Sequence, residues 1–207
     1  FRQLTPRQSV TANAVATYIS TQTSSYYDEG TPYKYNVDGK TASLLTEVIY
    51  ENRLKPFTFS TGLNNSYKYI KNNYLGDASS LTKTNNNRLY AFAAIKGMLQ
   101  PFSYTLGTGA SYIHYTQNGH RYNFWTFHPK ASLTYQISNS MQLRYTYQMQ
   151  DKVSRIAMTS DVMVRTNSME WTVGNPDLKP SHDMEHCLRV SYNTSRLQTF
   201  VEGYYKQ

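Results

Sequence analysis

The chain has 207 residues, of which 39% are hydrophobic, and carries a formal charge of +8. With a mean hydropathy of −0.63 it has the average polarity of a water-soluble all-β domain. Its 21 Lys and Arg are spread singly, without a recognition helix or zinc-finger spacing, which excludes a nucleic-acid footprint. The single cysteine, Cys187, excludes an intramolecular disulfide and a multi-cysteine metal site.

Period-two alternation predicts strands throughout. After runs near 10–20 and 41–51, the run 57–68 sets Phe57, Phe59, Leu63 and Tyr67 against Thr58, Ser60, Gly62, Asn64 and Ser66. A run near 87–97 follows, and then 102–115 sets Phe102, Tyr104, Leu106, Ala110 and Tyr112 on one face. In 124–137 Phe127, Ala131, Leu133, Tyr135 and Ile137 oppose His128, Lys130, Ser132, Thr134 and Gln136, with Pro129 as the misfit. In 142–155 Leu143, Tyr145, Tyr147 and Met149 oppose Gln142, Arg144, Thr146, Gln148 and Gln150. Runs near 182–192 and 198–207 complete about nine strands. No window shows helical spacing, and no apolar run approaches the roughly 18 residues of a spanning helix.

Short joins at 52–55, 97–101, 138–140 and 193–196 alternate with polar stretches at 21–40, 68–86, 116–122 and 157–181, which read mostly as long loops. Turns at one end and loops at the other match an outer-membrane barrel. A tilted spanning strand needs roughly 9–11 residues, whereas soluble strands average about 5–6. Only alternate residues then face lipid, so ordinary mean polarity is compatible with spanning, and the 20 Tyr suit the boundary between hydrocarbon and water. The predicted fold is an all-β antiparallel transmembrane barrel segment. An open sheet leaves unpaired edges in lipid, so the segment is expected to belong to a larger barrel. The sequence begins at Phe1 without an initiating Met or export signal and stops within a strand, so residues 1–207 are expected to be a partial barrel domain.

Chemical sites are sparse. His182 and His186, near Asp183 and Glu185, share a strand face but lie roughly 13 Å apart, too far for one ion without a bend. Cys187 and His186 are strand neighbours and point apart, and there is no phosphate loop or nucleophile elbow. No metal, cofactor or catalytic role is assigned. The candidate ligand contacts are Arg144, Gln148 and Gln150 on the polar face, expected toward the loop end, against a competing role in bonding to the barrel wall or a plug. Tyr26, Tyr27, Tyr33, Tyr35, Tyr122, Phe124, Trp125 and Trp171 are candidates for stacking on a sugar or other flat ligand, or for girdle and loop packing. In Gly174, Asn175, Pro176, Asp177, Leu178, Lys179 and Pro180, the prolines fix φ and remove donors while Gly and Asn tolerate unusual angles, so the segment is expected to turn sharply into the next strand.

That heptad resembles the GNPDLKP signature late in the barrels of TonB-dependent outer-membrane receptors, with Ser181 where relatives usually carry Glu. The stretch His128 to Tyr135, followed by Met141 to Arg144, is similar to the strand pair preceding that loop. Tyr90 to Phe92 with Phe102 to Gly107 is similar to the middle strands of the Bacteroidetes-type outer-membrane β-barrel family. The resemblance spans about residues 87–207 and implies a barrel of about 22 strands, with plug and energy-coupling segments outside this sequence. It further implies import of a nutrient driven by the TonB complex, with outer-membrane lipid and a surface lipoprotein as partners. A structural or adhesive barrel of roughly 8–10 strands and a soluble sandwich are the alternatives.

Overall fold

The computed structural model describes residues 2–28, 32–76, 79–152, 164–165, 171–173, 175, 179 and 181–207. The side chains of Tyr27, Tyr33, Lys152, Val164, Arg165, Trp171 and Thr172 are not among those described. Its strands in chain order are β1 (Arg2–Thr5), β2 (Gln8–Tyr27), β3 (Tyr33–Arg53), β4 (Phe57–Gly76), β5 (Ser80–Leu99), β6 (Phe102–Gln117), β7 (His120–Phe127), β8 (Lys130–Gln136), β9 (Met141–Lys152), β10 (Val164–Arg165), β11 (Trp171–Thr172), β12 (Ser181–Asn193) and β13 (Gln198–Lys206). Eleven form one antiparallel sheet in the order β1-β2-β3-β4-β5-β6-β8-β9-β12-β13, with β7 also on β6, and β10 pairs β11 separately.

The expected nine runs are all present, and the main sheet reaches eleven strands for two reasons. One is the four-residue β1. The other is Pro129, which divides a single run into β7 and β8 without disturbing register: His128 N donates to Gly109 O at 2.8 Å, and Met149 N donates to Pro129 O at 3.0 Å. The proline lacks only its own donor, so the run bends and the ladder continues.

Register carries the alternation across the whole sheet. Val48, Leu63, Ala91, Ala110 and Phe127 are successive cross-strand partners on one face. Glu47, Asn64, Tyr90, Ser111 and Thr126 make the adjacent row on the other. A one-residue slip in any strand would exchange these faces, so the apolar set fixes the pairing. Among the described residues there is no second layer: the only buried hydrophobics are Ile113 and Tyr115, while Leu63 is 54% and Val201 76% exposed. A sandwich would cover such a face with a facing sheet, so the soluble alternative does not describe this molecule.

The apolar face has defined edges. Along β4, rings at Phe59 and Tyr67 are eight residues apart, and those at Phe57 and Tyr69 are twelve apart. At ~3.3 Å per residue and ~40° tilt these spacings span about 20 and 30 Å, bracketing the ~25 Å apolar band of a transmembrane barrel. Leu63 lies at its middle.

One expectation is corrected. The stretches 21–40 and 68–86 are not mostly loops, because β2, β4 and β5 have 20 residues and β3 has 21. The joins between them shrink to residues 28–32 and 77–79. Above the apolar band both faces are wet, so alternation vanishes, yet the backbone bonds of the ladder are indifferent to that. Thr, Tyr and cross-strand amide pairs keep the strands going. The β6–β7 join is likewise a two-residue turn, with Asn118 at φ 47° and Gly119 at φ 94°. Those positive angles suit a turn whose twist matches the strands. A Cβ at Gly119 would meet nothing within 4 Å, so Gly119→Ala adds backbone strain alone. The expected cost is about 1 kcal/mol, read as faster amide exchange confined to the β6–β7 hairpin.

Candidate functional site

The polar face holds the groups able to meet a ligand, and they fall at two heights. Near the short turns, Arg144 shares an open concavity of about 800 Å³ with Lys96, Thr105, Ser132 and Thr134. Its Nε donates to Thr134 Oγ1 at 3.3 Å, and its register partner across β12 is Arg189. Arg144 therefore lies near the short-turn end, not toward the loop end as expected. The reason is local: β9 begins at Met141, directly after the turn, so only its later residues climb.

Higher on the same face, Gln148 and Gln150 line a concavity of about 310 Å³ with Arg88, Tyr90, His128 and Lys130. At its edge is a buried ionic network. Asp151, whose side chain is 2% exposed, has Oδ1 at 3.1 Å from both Arg88 Nη2 and His128 Nε2. Arg88 Nε donates to Ser111 Oγ at 3.1 Å, while Ser111 Oγ and Thr126 Oγ1 each lie 3.0 Å from His128 Nε2. The Tyr90 ring meets the imidazole edge-on at 5.4 Å.

Strand alternation puts Asp151 with Tyr147 and Met149, on the opposite face from Arg88 and Ser111. Its carboxylate nevertheless reaches the polar side. The last β8–β9 pair is Lys130 with Gln148, and no ladder joins β7 to β9 among the described residues, so the strands part where Asp151 inserts. Sequence reasoning missed Arg88 and Asp151; the signal available was a carboxylate at a lipid-face position, which needs a partner.

Ser, His and Asp together invite a catalytic reading, which the geometry denies. A relay needs serine on one imidazole nitrogen and the carboxylate on the other, and here both converge on Nε2. Ser111 is also fully buried. What the arrangement can do is fix one wall geometry with a guanidinium partly open to the lumen. Tyr90 is packed over Gly109, leaving no room for a methyl group there. Gly109→Ala should displace that ring and loosen the network, costing about 1–3 kcal/mol of barrel stability in urea unfolding.

The remaining predicted site residues are dispersed. Tyr122 is on the polar face beside Tyr115 and Phe124, at ring distances of 5.8 and 6.5 Å. Trp125 is on the apolar face, 75% exposed, with its ring 5.0 Å from Tyr112. Trp125 and Tyr122 therefore cannot grip one lumenal ligand. Trp171 is in β11, its side chain outside the described residues, as are Gly174, Pro176, Asp177, Leu178 and Pro180 of the turn motif; Asn175 and Lys179 are exposed. His186 Nδ1 lies 2.9 Å from the Tyr145 hydroxyl on the apolar face, while His182 is the register partner of Asp151. Cys187 pairs with Thr146 and Tyr204 on the polar side.

No family model and no curated protein matches the sequence. Solved structures do match. The copper transporter OprC aligns over 98% of this chain and 36% of its own, with a TM-score of 0.78 at 12% identity. P. aeruginosa FpvA bound to heterologous pyoverdines aligns over 95% of this chain and 30% of its own, at TM-score 0.72 and 9% identity. The ferric yersiniabactin uptake receptor FyuA from Yersinia pestis aligns over 98% and 33%, at TM-score 0.61 and 13% identity. The chain thus spans about a third of the length of these structures. The shared feature is the fold: the antiparallel sheet of this chain aligns with about a third of each of these proteins.

Proposed function

We propose that the chain is a section of wall from a TonB-dependent outer-membrane receptor of the Bacteroidetes type, a protein that captures a nutrient at the cell surface and imports it. The observation that carries this reading is the single-layer sheet with one continuous apolar face and unclosed edges: β1 and β13 do not pair with each other. In lipid each unsatisfied backbone group costs several kcal/mol, so further strands must continue both edges. That requirement favours a large barrel over the adhesive barrel of roughly 8–10 strands, which would close on itself. The likeness over 95–98% of the chain to transporters and receptors of metals and siderophores supports an import role. The polar face, with Arg144, Gln148, Gln150 and Tyr122, would contact ligand or plug, while Trp125 would belong to the aromatic girdle. Coupling to TonB, and any lipoprotein partner, would run through segments outside these residues.

The parent protein provides the test. It should fractionate with the outer membrane and be retained from detergent extracts by the immobilised periplasmic domain of TonB. Recovery in the soluble fraction, or passage of an intact outer-membrane protein through that column, would overturn the receptor reading.

A further inference from the structure

We propose that Lys40, Lys71 and Lys83 form a site on the outward face for the phosphate of a lipid headgroup, a reading that rests on the membrane placement above. Lys40 on β3 is the register partner of Lys71 on β4, and Lys71 is the register partner of Lys83 on β5. Directly opposed residues in an antiparallel pair have Cα atoms about 4.5–5.5 Å apart, so three like charges stand side by side within about 10 Å. Like charges so opposed destabilise a sheet unless an anion lies among them.

Among the described residues no carboxylate takes that place. None of the three lysines is in an ion pair among the described residues. Asp38 is the nearest carboxylate on this face of β3, and it pairs in register with Gln22 and Asn73 rather than with a lysine. Lys40 and Lys83 are exposed and Lys71 is half-buried.

Height and direction identify the occupant. The row immediately below runs Tyr18, Ala42, Tyr69 and Asn85, on the same face. Tyr69 closes the apolar band, and the Tyr67 hydroxyl beside it donates to Asn85 Oδ1 at 3.0 Å. One same-face step, roughly 6–7 Å along the strand, carries the lysines from the hydrocarbon edge to headgroup level. A solute in the lumen faces the opposite side of these strands and cannot reach them. An anionic lipid phosphate, attracted to juxtamembrane cations, can.

The test compares the detergent-solubilised parent barrel with its K40Q/K71Q/K83Q variant by native mass spectrometry, using dioleoyl phosphatidate and dioleoyl phosphatidylcholine as probes. A heat-dependent gel shift establishes that each is folded. Lys68→Gln is the control, because Lys68 lies on the same outer stretch of β4 but on the polar face, paired with Ser43 and Asn86. Wild type and the control should prefer phosphatidate by about ten- to a hundredfold, and the triple variant should lose that preference. Undiminished preference in the folded triple variant, equal loss with Lys68→Gln, or full displacement of phosphatidate by millimolar inorganic phosphate would each overturn the proposal. Failure of the parent to enter phosphatidylcholine vesicles would overturn the membrane reading itself, which separates the two failures.

Discussion

Arginine in place of Leu63 should destabilise the parent barrel by about 2–4 kcal/mol, while arginine at the very next residue, Asn64, should change stability by less than about 1 kcal/mol. Leu63 is 54% exposed on the apolar face, between Val48 and Ala91, and four residues from the rings on either side. A guanidinium there stands in mid-hydrocarbon, too deep to reach either interface with its side chain. Asn64 points the other way, with Glu47 and Tyr90 as cross-strand partners, so an arginine there gains a carboxylate neighbour and stays wet. Urea unfolding of the parent protein in phosphatidylcholine vesicles measures both. Similar losses at the two positions would mean that the faces are wrongly assigned, and with them the membrane.

Asp151→Ala should cost about 2–3 kcal/mol, the second largest effect. Removing one partner of a buried ion pair typically costs about 3–5 kcal/mol, because the other charge is left unpaired in a low dielectric. The Arg88 side chain is 40% exposed and can rehydrate, which lowers the expected value. The same network predicts non-additivity. Arg88→Ala and Asp151→Ala combined should cost less than their sum by about 1–3 kcal/mol, since the second change removes a group already stranded by the first. Strict additivity in the cycle would show that Asp151 is held by something other than Arg88.

The apolar wall was legible from sequence because lipid imposes period two on everything it touches. Alternation puts Leu143, Tyr145 and Tyr147 on one face and Arg144, Thr146 and Gln148 on the other, and their register partners across β8 and β12 maintain that division. Legibility ended where the lipid ends. Above Tyr69 the strand continues with Ile70 and Tyr74 on one face and Lys71, Asn73 and Leu75 on the other, so no alternation marks the outer halves of β2 to β5 as strand. Asp151 was illegible for a related reason. Alternation assumes an unbroken ladder, and the carboxylate crosses to the polar side where β9 parts from its neighbour. For Arg144 alternation predicts the face but not the height, since height depends on where the turn falls rather than on any property of the arginine.

The extra length of β2 to β5 has a mechanical consequence. Strands of 20 and 21 residues run roughly 65–70 Å, about twice what crossing requires. The surplus is cross-linked at every rung, so it stands above the bilayer as a stiff parapet instead of a fringe of free loops. In the receptor proposed above, a gate would therefore have to come from other segments, because these four strands cannot fold inward without breaking the ladder that joins them.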